Sequence, residues 1–349
     1  MSTLRDSVQS TYLRTTWLLR AKTALTFPDS SKIRFFDQHE AAKFADTMRR
    51  RNIVARFGGM NNHYQRQAHE LSNRTVIEVP RVINPEEMYE QGEPVAKLIE
   101  QLAILSTTLF LKRSILLRRL GLSENITPEV NFTVTSQFKF IRSQSQRVPS
   151  TAGILIDEQF RRRFLKSGFM TLFEYCQLQS DLAKRVRTSS DWLFESRRET
   201  KLNASVVKTA IALESLLIFS ENESLARSLS ERTAFILSPS PNARQEISRV
   251  LGQFYDVRSG IVHGSQKKAR KLTPALVECV DRLVLLLHLL ISANSHLWPN
   301  VEALRIWCEK QRWGKPSSDV KVPFSRAYLN NAMSLVEINV RGLPTTASS

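Results

Sequence analysis

The sequence predicts a mainly α-helical protein, in which a mixed α+β amino-terminal domain precedes a carboxyl-terminal antiparallel helical bundle. Three observations support this fold class. The chain of 349 residues is too long for one small core, apolar residues recur at helical spacing in its second half, and strand-like alternation is confined to its first half. We expect the α+β domain over residues 1–180, the bundle over 181–300, and a helix with a tail over 301–349.

The first half contains few regular patterns. Residues 94–120 predict a long helix with a proline in its first turn. Residues 75–83 and 131–141 are candidate strands, and Pro80 indicates an edge or a break in the first of them. The basic composition of residues 1–28 overlaps with that of organellar transit peptides, but an amphipathic first helix fits the same residues.

The second half predicts a succession of helices joined by short loops. Apolar residues at three- and four-residue spacing mark helices over residues 204–220, 223–237, 242–263 and 274–297. Gly264 follows the third of these, where a left-handed residue commonly ends a helix. Helices connected in this way, without strand signals between them, are typical of an antiparallel bundle.

The net charge favours a polyanionic partner. Lys and Arg number 50 against 33 Asp and Glu, which gives a formal charge of +17. Clusters of basic residues are typical of surfaces that bind a phosphate backbone, although they also occur on ordinary solvated helices. We therefore expect RNA or DNA as a partner, without assigning it to any one cluster.

The cysteines and the apolar stretches bear on the cellular compartment of the protein. Cys176, Cys279 and Cys308 are odd in number and widely spaced, which argues against a disulfide framework or a zinc ribbon and favours a reducing compartment. The most apolar stretch, residues 283–291, is well short of the roughly 20 residues that a membrane span needs. We expect a soluble, cytoplasmic protein that does not insert into membranes.

No recognisable cofactor or metal motif is present in the sequence. It lacks a glycine-rich phosphate loop, a Gly-x-Ser-x-Gly elbow and a His-Glu-x-x-His pair. His63 and His69 lie six residues apart, which does not place them on one helical face, and no further ligand completes a set. We expect neither a cofactor nor a metal site.

The helix that ends at His263 carries unusual polar residues. Arg258 falls on its apolar stripe, four residues after Phe254 and three before Ile261. A guanidinium on such a face needs an acid, a phosphate or a second subunit, and Glu214, on the inward stripe of its own helix, is one candidate partner. Arg258 and His263 lie about 140° apart on a regular helix, so their convergence requires a distorted helix end or a second chain.

The spacing of Arg258 and His263 decides nothing by itself, but the residues around them are informative. Residues 255–264 read Tyr-Asp-Val-Arg-Ser-Gly-Ile-Val-His-Gly, and this stretch resembles the closing motif of HEPN domains, especially the ApeA-like group. Residues 211–217 and 229–234 resemble earlier helices of the same group. The resemblance covers residues 190–295 and does not extend into residues 1–180.

The resemblance implies a metal-independent endoribonuclease that works as a homodimer. Arg258 and His263 would be the catalytic residues, because an imidazole suits proton transfer and a guanidinium suits the charge that develops on phosphorus. The resemblance further implies roles in anti-phage defence or in stress-induced arrest of translation. Supporting roles are expected for Glu214, Asp256 and Ser259, and RNA-backbone contacts for Lys267, Lys268, Arg270 and Lys271.

Other interpretations stay open. Arg258 could be held by Glu214 or Asp256 while His263 merely ends its helix, which would leave a non-catalytic nucleic-acid-binding scaffold that uses the bundle to dimerise. Ser259 could orient a substrate or only bond to the helix backbone. A third interpretation is the toxin of a two-gene pair. The amino-terminal domain would sense a trigger or ligand, or select the RNA.

Overall fold

The computed structural model describes residues 10–16, 18–51, 69, 71–81, 88–110, 126–134, 140–149, 154–199, 201–220, 224–313 and 319–341. The chain divides into two compact units. The first contains residues 1–104 and 120–163, and the second contains residues 105–119 and 164–349. The described residues are mainly helical, with a small antiparallel sheet in the amino-terminal part, as the sequence predicts at this coarse level.

Eight strands occur in the described part of the first unit. Six of them form one antiparallel sheet in the order β3-β4-β5-β1-β6-β7, and the other two, β2 and β8, form a separate parallel pair. The strands are β1 (Ser10–Thr16), β2 (Leu19–Ala21), β3 (Leu25–Thr26), β4 (Lys32–Phe36), β5 (Arg74–Arg81), β6 (Ile126–Val134), β7 (Phe140–Pro149) and β8 (Ile154–Ile156).

The twelve helices of the described residues begin early in the chain and dominate after β8. They are α1 (Gln38–Arg51), α2 (Met88–Phe110), α3 (Glu158–Lys166), α4 (Phe169–Cys176), α5 (Asp181–Arg198), α6 (Leu202–Leu217), α7 (Leu225–Leu237), α8 (Pro241–Val262), α9 (Gln266–Ala269), α10 (Pro274–Ala293), α11 (Val301–Trp313) and α12 (Arg326–Arg341).

The prediction of an amphipathic helix near the amino terminus is wrong, because Ser10–Thr16, Leu19–Ala21 and Leu25–Thr26 are the strands β1, β2 and β3. Strand β1 pairs with β5 on one side and β6 on the other. It is therefore an inner strand of the sheet, and the neighbouring residues Tyr12 and Leu13 are both buried although they point to opposite faces. A strand covered on both faces lacks the polar alternation that identifies a strand in sequence.

Two strand predictions also need adjustment. The expected strand at residues 75–83 is β5. Its pairing with β4 ends at Glu78, so Pro80 lies beyond the last residue that pairs with β4, where a missing amide hydrogen breaks no bond to that strand. The expected single strand at residues 131–141 is instead the end of β6 and the start of β7, two antiparallel partners. The intervening residues 135–139 lie outside the described part of the chain.

Helix α2 packs on β1 through polar as well as apolar contacts. Arg14 of β1 forms ion pairs with Glu93 at 3.4 Å and with Glu100 at 3.1 Å, and Thr16 donates to Glu100. A Cβ at Gly92 would lie 2.5 Å from the Tyr12 ring, so only glycine permits this approach. The helix begins six residues before the predicted residue 94, and residues 111–120 lie outside the described chain.

The helices predicted in the second half are confirmed with small shifts at their ends. They correspond to α6, α7, α8 and α10. Helix α10 is the centre of the second unit, since it contacts α4, α5, α6, α7, α8 and α12. Every residue from 276 to 292 is buried. Such a helix needs an apolar surface on all sides, and any charge on it needs a partner inside the protein.

A buried ionic network supplies those partners. Arg197 of α5 is fully buried and lies 3.1 Å from Asp281, and it also donates to Glu278. Arg282 reaches Glu278 at 3.1 Å, one helical turn away. Burial lowers the pKa of Arg197, but the two carboxylates outweigh it, so the pKa is raised overall. Thr209 of α6 donates to Asp281 at 2.7 Å, which joins a third helix to the network.

His288 is a second buried polar residue of α10. Its Nε2 atom lies 2.7 Å from the Ser189 hydroxyl, and its Nδ1 atom lies 3.3 Å from that of Ser190. Burial lowers the pKa of His288 from 6.5 to about 3. The imidazole is therefore neutral at pH 7 and is bound to α5 by neutral hydrogen bonds.

Replacing Arg197 with methionine should lower the free energy of unfolding by about 3–5 kcal/mol, because two buried carboxylates would keep only one cation between them. Urea denaturation of the full chain measures the change. The control is Arg249→Met, which removes an exposed ion pair with Glu246 on α8 and should cost far less. Equal losses in the two variants would contradict the role given to the network.

The pKa of His288 predicts a loss of stability in acid. Between pH 6.5 and pH 3 the unfolded chain binds a proton at this residue that the folded chain does not, so stability falls as the pH falls. The drop in unfolding free energy from pH 7 to pH 4.5 should be about 2.5 kcal/mol smaller in His288→Gln than in the wild type. His296→Gln, at an exposed histidine just past the same helix, should keep the wild-type drop.

Candidate functional site

Helix α8 carries the residues that the sequence singled out. Pro241 occupies its first turn, where the missing amide hydrogen costs nothing, and Val262 is its last residue. His263 follows as the C-cap with φ −99° and ψ 9°, and its amide donates to the Ser259 carbonyl oxygen at 3.0 Å. Gly264 has φ +72°, which confirms the predicted left-handed end of the helix.

The ion pair between Arg258 and Glu214 is present. The Nη2 atom of Arg258 lies 3.4 Å from Oε1 of Glu214 on α6, and the two side chains are 24% and 16% exposed. This contact joins α8 to α6 at a site that solvent can partly reach. The ion pair engages a single oxygen atom of the carboxylate, so it is not the bidentate pairing that a guanidinium can form.

Tyr255, three residues before Arg258, belongs to the same polar cluster. Its hydroxyl is buried, and its pKa is raised by burial first and by the charge of Glu214 second. The Tyr255 hydroxyl and Nε of Arg258 are buried without a hydrogen bond of normal geometry, and Oε1 of Glu214 has only its ion pair with Arg258. We call these three residues the Glu214 cluster. Such incomplete bonding is unusual, because buried polar groups are nearly always hydrogen-bonded.

His263 lies in different surroundings. The residue is exposed, and its imidazole makes no hydrogen bond or ion pair within the residues that the structure describes. Five residues of helix separate it from Arg258, which corresponds to about 140° around the axis and about 7.5 Å along it. The geometry of one chain therefore does not aim the two side chains at one point. It leaves the imidazole accessible to a polyanion or to another chain.

Asp256 and Ser259, the other two residues expected to support the site, lie outside the Glu214 cluster or contact only the helix backbone. Asp256 is exposed, and its Oδ1 atom lies 3.3 Å from Nζ of Lys268, so it does not contact the Glu214 cluster. Ser259 is half-buried, and its hydroxyl makes no hydrogen bond among the described residues. Its carbonyl oxygen accepts from His263, so its observed contact is with the helix backbone.

The basic segment after His263 is partly helical. Residues 266–269 form the short helix α9, whose contact with α8 depends on Gly260. A Cβ at Gly260 would lie 2.5 Å from Cβ of Lys268 and 2.8 Å from the amide nitrogen of Ala269. All four cations proposed to contact RNA are exposed, and Lys268 is the one with an ion pair to a described residue. They are Lys267, Lys268, Arg270 and Lys271.

The described residues offer neither a metal-binding cluster nor a helix suited to a bilayer. Within the described ranges, no group of three or more His, Cys, Asp or Glu side chains is placed to hold a metal ion. His63 lies outside those ranges. The same ranges contain no helix that is both long and apolar enough to cross a bilayer. The three cysteines are free and buried.

Comparisons with protein-family models, with curated proteins and with solved structures found no significant match. The resemblance to HEPN domains therefore depends on the sequence motifs alone. What the coordinates add is the placement of those motifs on α6, α7, α8 and the segment that follows α8.

The sequence reasoning missed two sets of residues. It gave no role to Tyr255, although a tyrosine three residues before Arg258 shares its helical face and could have been included on that ground. It also gave no role to Asp281 and Arg282, which directly precede the apolar stretch 283–291. Charges inside the most apolar helix of a chain indicate a buried ionic partner, and that signal predicts a residue such as Arg197.

Two glycines of α8 allow a matched test of the contact with α9. At Gly252 no atom lies within 4 Å of an added Cβ, so Gly252→Ala should raise the unfolding free energy by up to about 1 kcal/mol through helix propensity. At Gly260 the overlap with α9 should cost about 1–3 kcal/mol and outweigh that gain. Chemical denaturation of both variants tests this, and equal stabilisation would show that α9 does not pack on α8.

Proposed function

We propose that this protein is a homodimeric endoribonuclease in which Arg258 and His263 cleave RNA without a metal ion. The observation that carries the proposal is the surface at the end of α8. There an exposed imidazole, which has no partner among the described residues, follows a half-buried guanidinium along the chain and precedes a run of exposed cations. Cations hold a phosphate backbone, and an accessible imidazole can move protons on it.

The chemistry requires two proton transfers and one charge to be stabilised. The ribose 2′-oxygen attacks the adjacent phosphorus as it loses its proton, and the 5′-oxygen leaves as it gains one. The products are a 2′,3′-cyclic phosphate and a 5′-hydroxyl. His263 is assigned the proton transfers, which the two copies of the imidazole in the proposed dimer share. Arg258 is assigned the negative charge of the pentacovalent intermediate, because its fork binds two oxygens.

A second copy of the chain would bring an arginine and a histidine to the same phosphate, which one chain does not do. Because Arg258 and His263 diverge by about 140° on one helix, the pair that acts on one phosphate would combine residues of two protomers. Val262, next to His263, is 49% exposed and offers apolar surface for such a contact. In this arrangement Glu214 holds Arg258 in place, and Tyr255 is a neutral donor beside it.

The biological role follows from the resemblance and is part of the proposal. A HEPN-like bundle over residues 181–300 would cleave RNA to arrest translation in a stressed or phage-infected cell, as an antiviral or toxin-like activity. Asp256 positions Lys268, and the four exposed cations from residue 267 to 271 hold the flanking phosphates. Lys268 contributes less than the others, since part of its charge is compensated by Asp256.

One observation favours a second candidate function. Arg258 is already paired with Glu214, and the pair ties α8 to α6. If that is its whole purpose, the basic segment binds nucleic acid and the bundle serves for dimerisation without chemistry. The two candidates agree on binding and differ only on cleavage.

Purified full-length protein should cut single-stranded RNA in the presence of EDTA and leave 2′,3′-cyclic phosphate ends. His263→Ala and Arg258→Ala should each lower the cleavage rate by about 10²–10⁴-fold, because each removes a group that acts in the transition state. Gel analysis of labelled RNA gives the rate, and light scattering gives the oligomeric state. The variants should still dimerise and bind RNA.

The matched controls are His296→Ala and Arg249→Ala, which remove an exposed histidine and an exposed arginine outside the proposed site. Both should cleave at the wild-type rate. The scaffold function would replace the nuclease if wild-type protein and both site variants bind RNA equally and none cuts it. A wild-type monomer that cleaves would instead disprove the shared site.

A further inference from the structure

The first unit contains a cleft that the proposed nuclease does not use. It has a volume of about 1150 Å³. Its floor lies where β1 and β4 end and β5 begins, since Thr16 pairs with Thr75 and Thr75 pairs with Phe35. The chain from residue 19 to residue 26 forms one wall, and the start of α1 and Leu155 of β8 complete the lining.

Main-chain hydrogen bonds hold the walls of this cleft. The amide of Ala21 donates to the Thr75 hydroxyl at 2.9 Å, which fixes β2 against the sheet. The amides of Lys22 and Thr23 both donate to the carbonyl oxygen of Ile156, at 2.9 and 3.2 Å. These bonds do not depend on a ligand. The cleft is therefore formed in advance, as is usual for small-molecule sites.

The lining is strongly basic. Five basic residues face two acidic ones, Asp37 and Glu40, so the lining keeps an excess of positive charge. Arg34 is neutralised by Glu78 at 2.9 Å. Three exposed cations of the lining have no acidic partner among the described residues, and they therefore attract an anion. They are Arg20, Lys22 and Lys32.

The lining also contains unusual apolar surface. Phe35 and Leu155 are each 41% exposed. They are the two exposed large hydrophobic residues in the described part of the first unit, and both line this cleft. A flat or apolar group that covers them would gain burial without any loss of charge pairing.

We propose that this cleft binds a nucleotide. A nucleoside polyphosphate combines the two chemistries that the lining needs, because its phosphates suit Arg20, Lys22 and Lys32 while its base covers Phe35 and Leu155. The cleft exceeds the common size of about 300–1,000 Å³ for ligand pockets, so it admits a whole nucleotide with its ribose. This site lies in the first unit and does not depend on the proposed cleavage activity.

Isothermal titration of the full-length protein with ATP, adenosine and inorganic tripolyphosphate tests the proposal. ATP should bind with a stoichiometry of one per chain. The triple variant Arg20→Gln, Lys22→Gln, Lys32→Gln should bind ATP and tripolyphosphate at least about tenfold more weakly. Phe35→Ser should weaken ATP but leave tripolyphosphate unchanged, and adenosine should bind more weakly than ATP to the wild type.

The matched control removes three exposed cations of the same unit that do not line the cleft. Lys43→Gln, Lys97→Gln, Arg162→Gln should keep the wild-type affinity for ATP, and circular dichroism should show that both triple variants are folded. Three results would overturn the proposal: no binding at millimolar ATP, equal losses in the two triple variants, or binding of single-stranded poly(U) with the same charge dependence while ATP does not bind. The last result would assign the cleft to nucleic acid.

Discussion

The second unit depends on neutralising charge inside a helix that has no solvent-exposed side. Helix α10 places Glu278, Asp281 and Arg282 among buried residues, and an uncompensated ion there would cost several kcal/mol. Arg197 of α5 makes the sum of charges zero, and Thr209 of α6 completes the bonding of Asp281. The network fixes the relative positions of these three helices, because its hydrogen bonds form in one arrangement only, whereas apolar packing alone would tolerate several arrangements.

A comparison of the two polar clusters of this unit explains why one is structural and the other is a candidate site. The network around Arg197 is enclosed, and its charges are matched. In the cluster of Glu214, Tyr255 and Arg258, the two charged side chains are 16% and 24% exposed and meet in a single contact of 3.4 Å, while the Tyr255 hydroxyl and Nε of Arg258 lack hydrogen bonds of normal geometry. An incompletely bonded cluster costs stability unless something else completes it. A phosphate or a second chain can approach Arg258 from solvent, whereas nothing can approach Arg197.

How much could be predicted from sequence depends on whether the signal is local. Helices α6, α7, α8 and α10 begin and end within four residues of the predicted bounds, because their stripes, prolines and Gly264 are local signals. Strand β1 was missed because neighbours on both sides and both faces bury Tyr12 and Leu13, which removes the alternation. The contact of Arg258 with Glu214 was predictable, since each lies on an inward stripe. The position of His263 relative to Arg258 in the proposed dimer was not predictable, because no single chain determines it.

The cleft of the first unit is formed by residues that are far apart in the sequence, so its lining could not be predicted from local sequence patterns. Its lining comes from residues 15–40, 73–75 and 155, which antiparallel pairing brings to one end of the sheet. Arg20, Lys22 and Lys32 are unremarkable in a chain with a charge of +17. They become a candidate site only because the fold gathers them at one cleft, where basic residues outnumber acidic ones. Under the two proposals the excess of positive charge has two separate uses, one around His263 and one beside Phe35, and variants at one place should leave binding at the other intact.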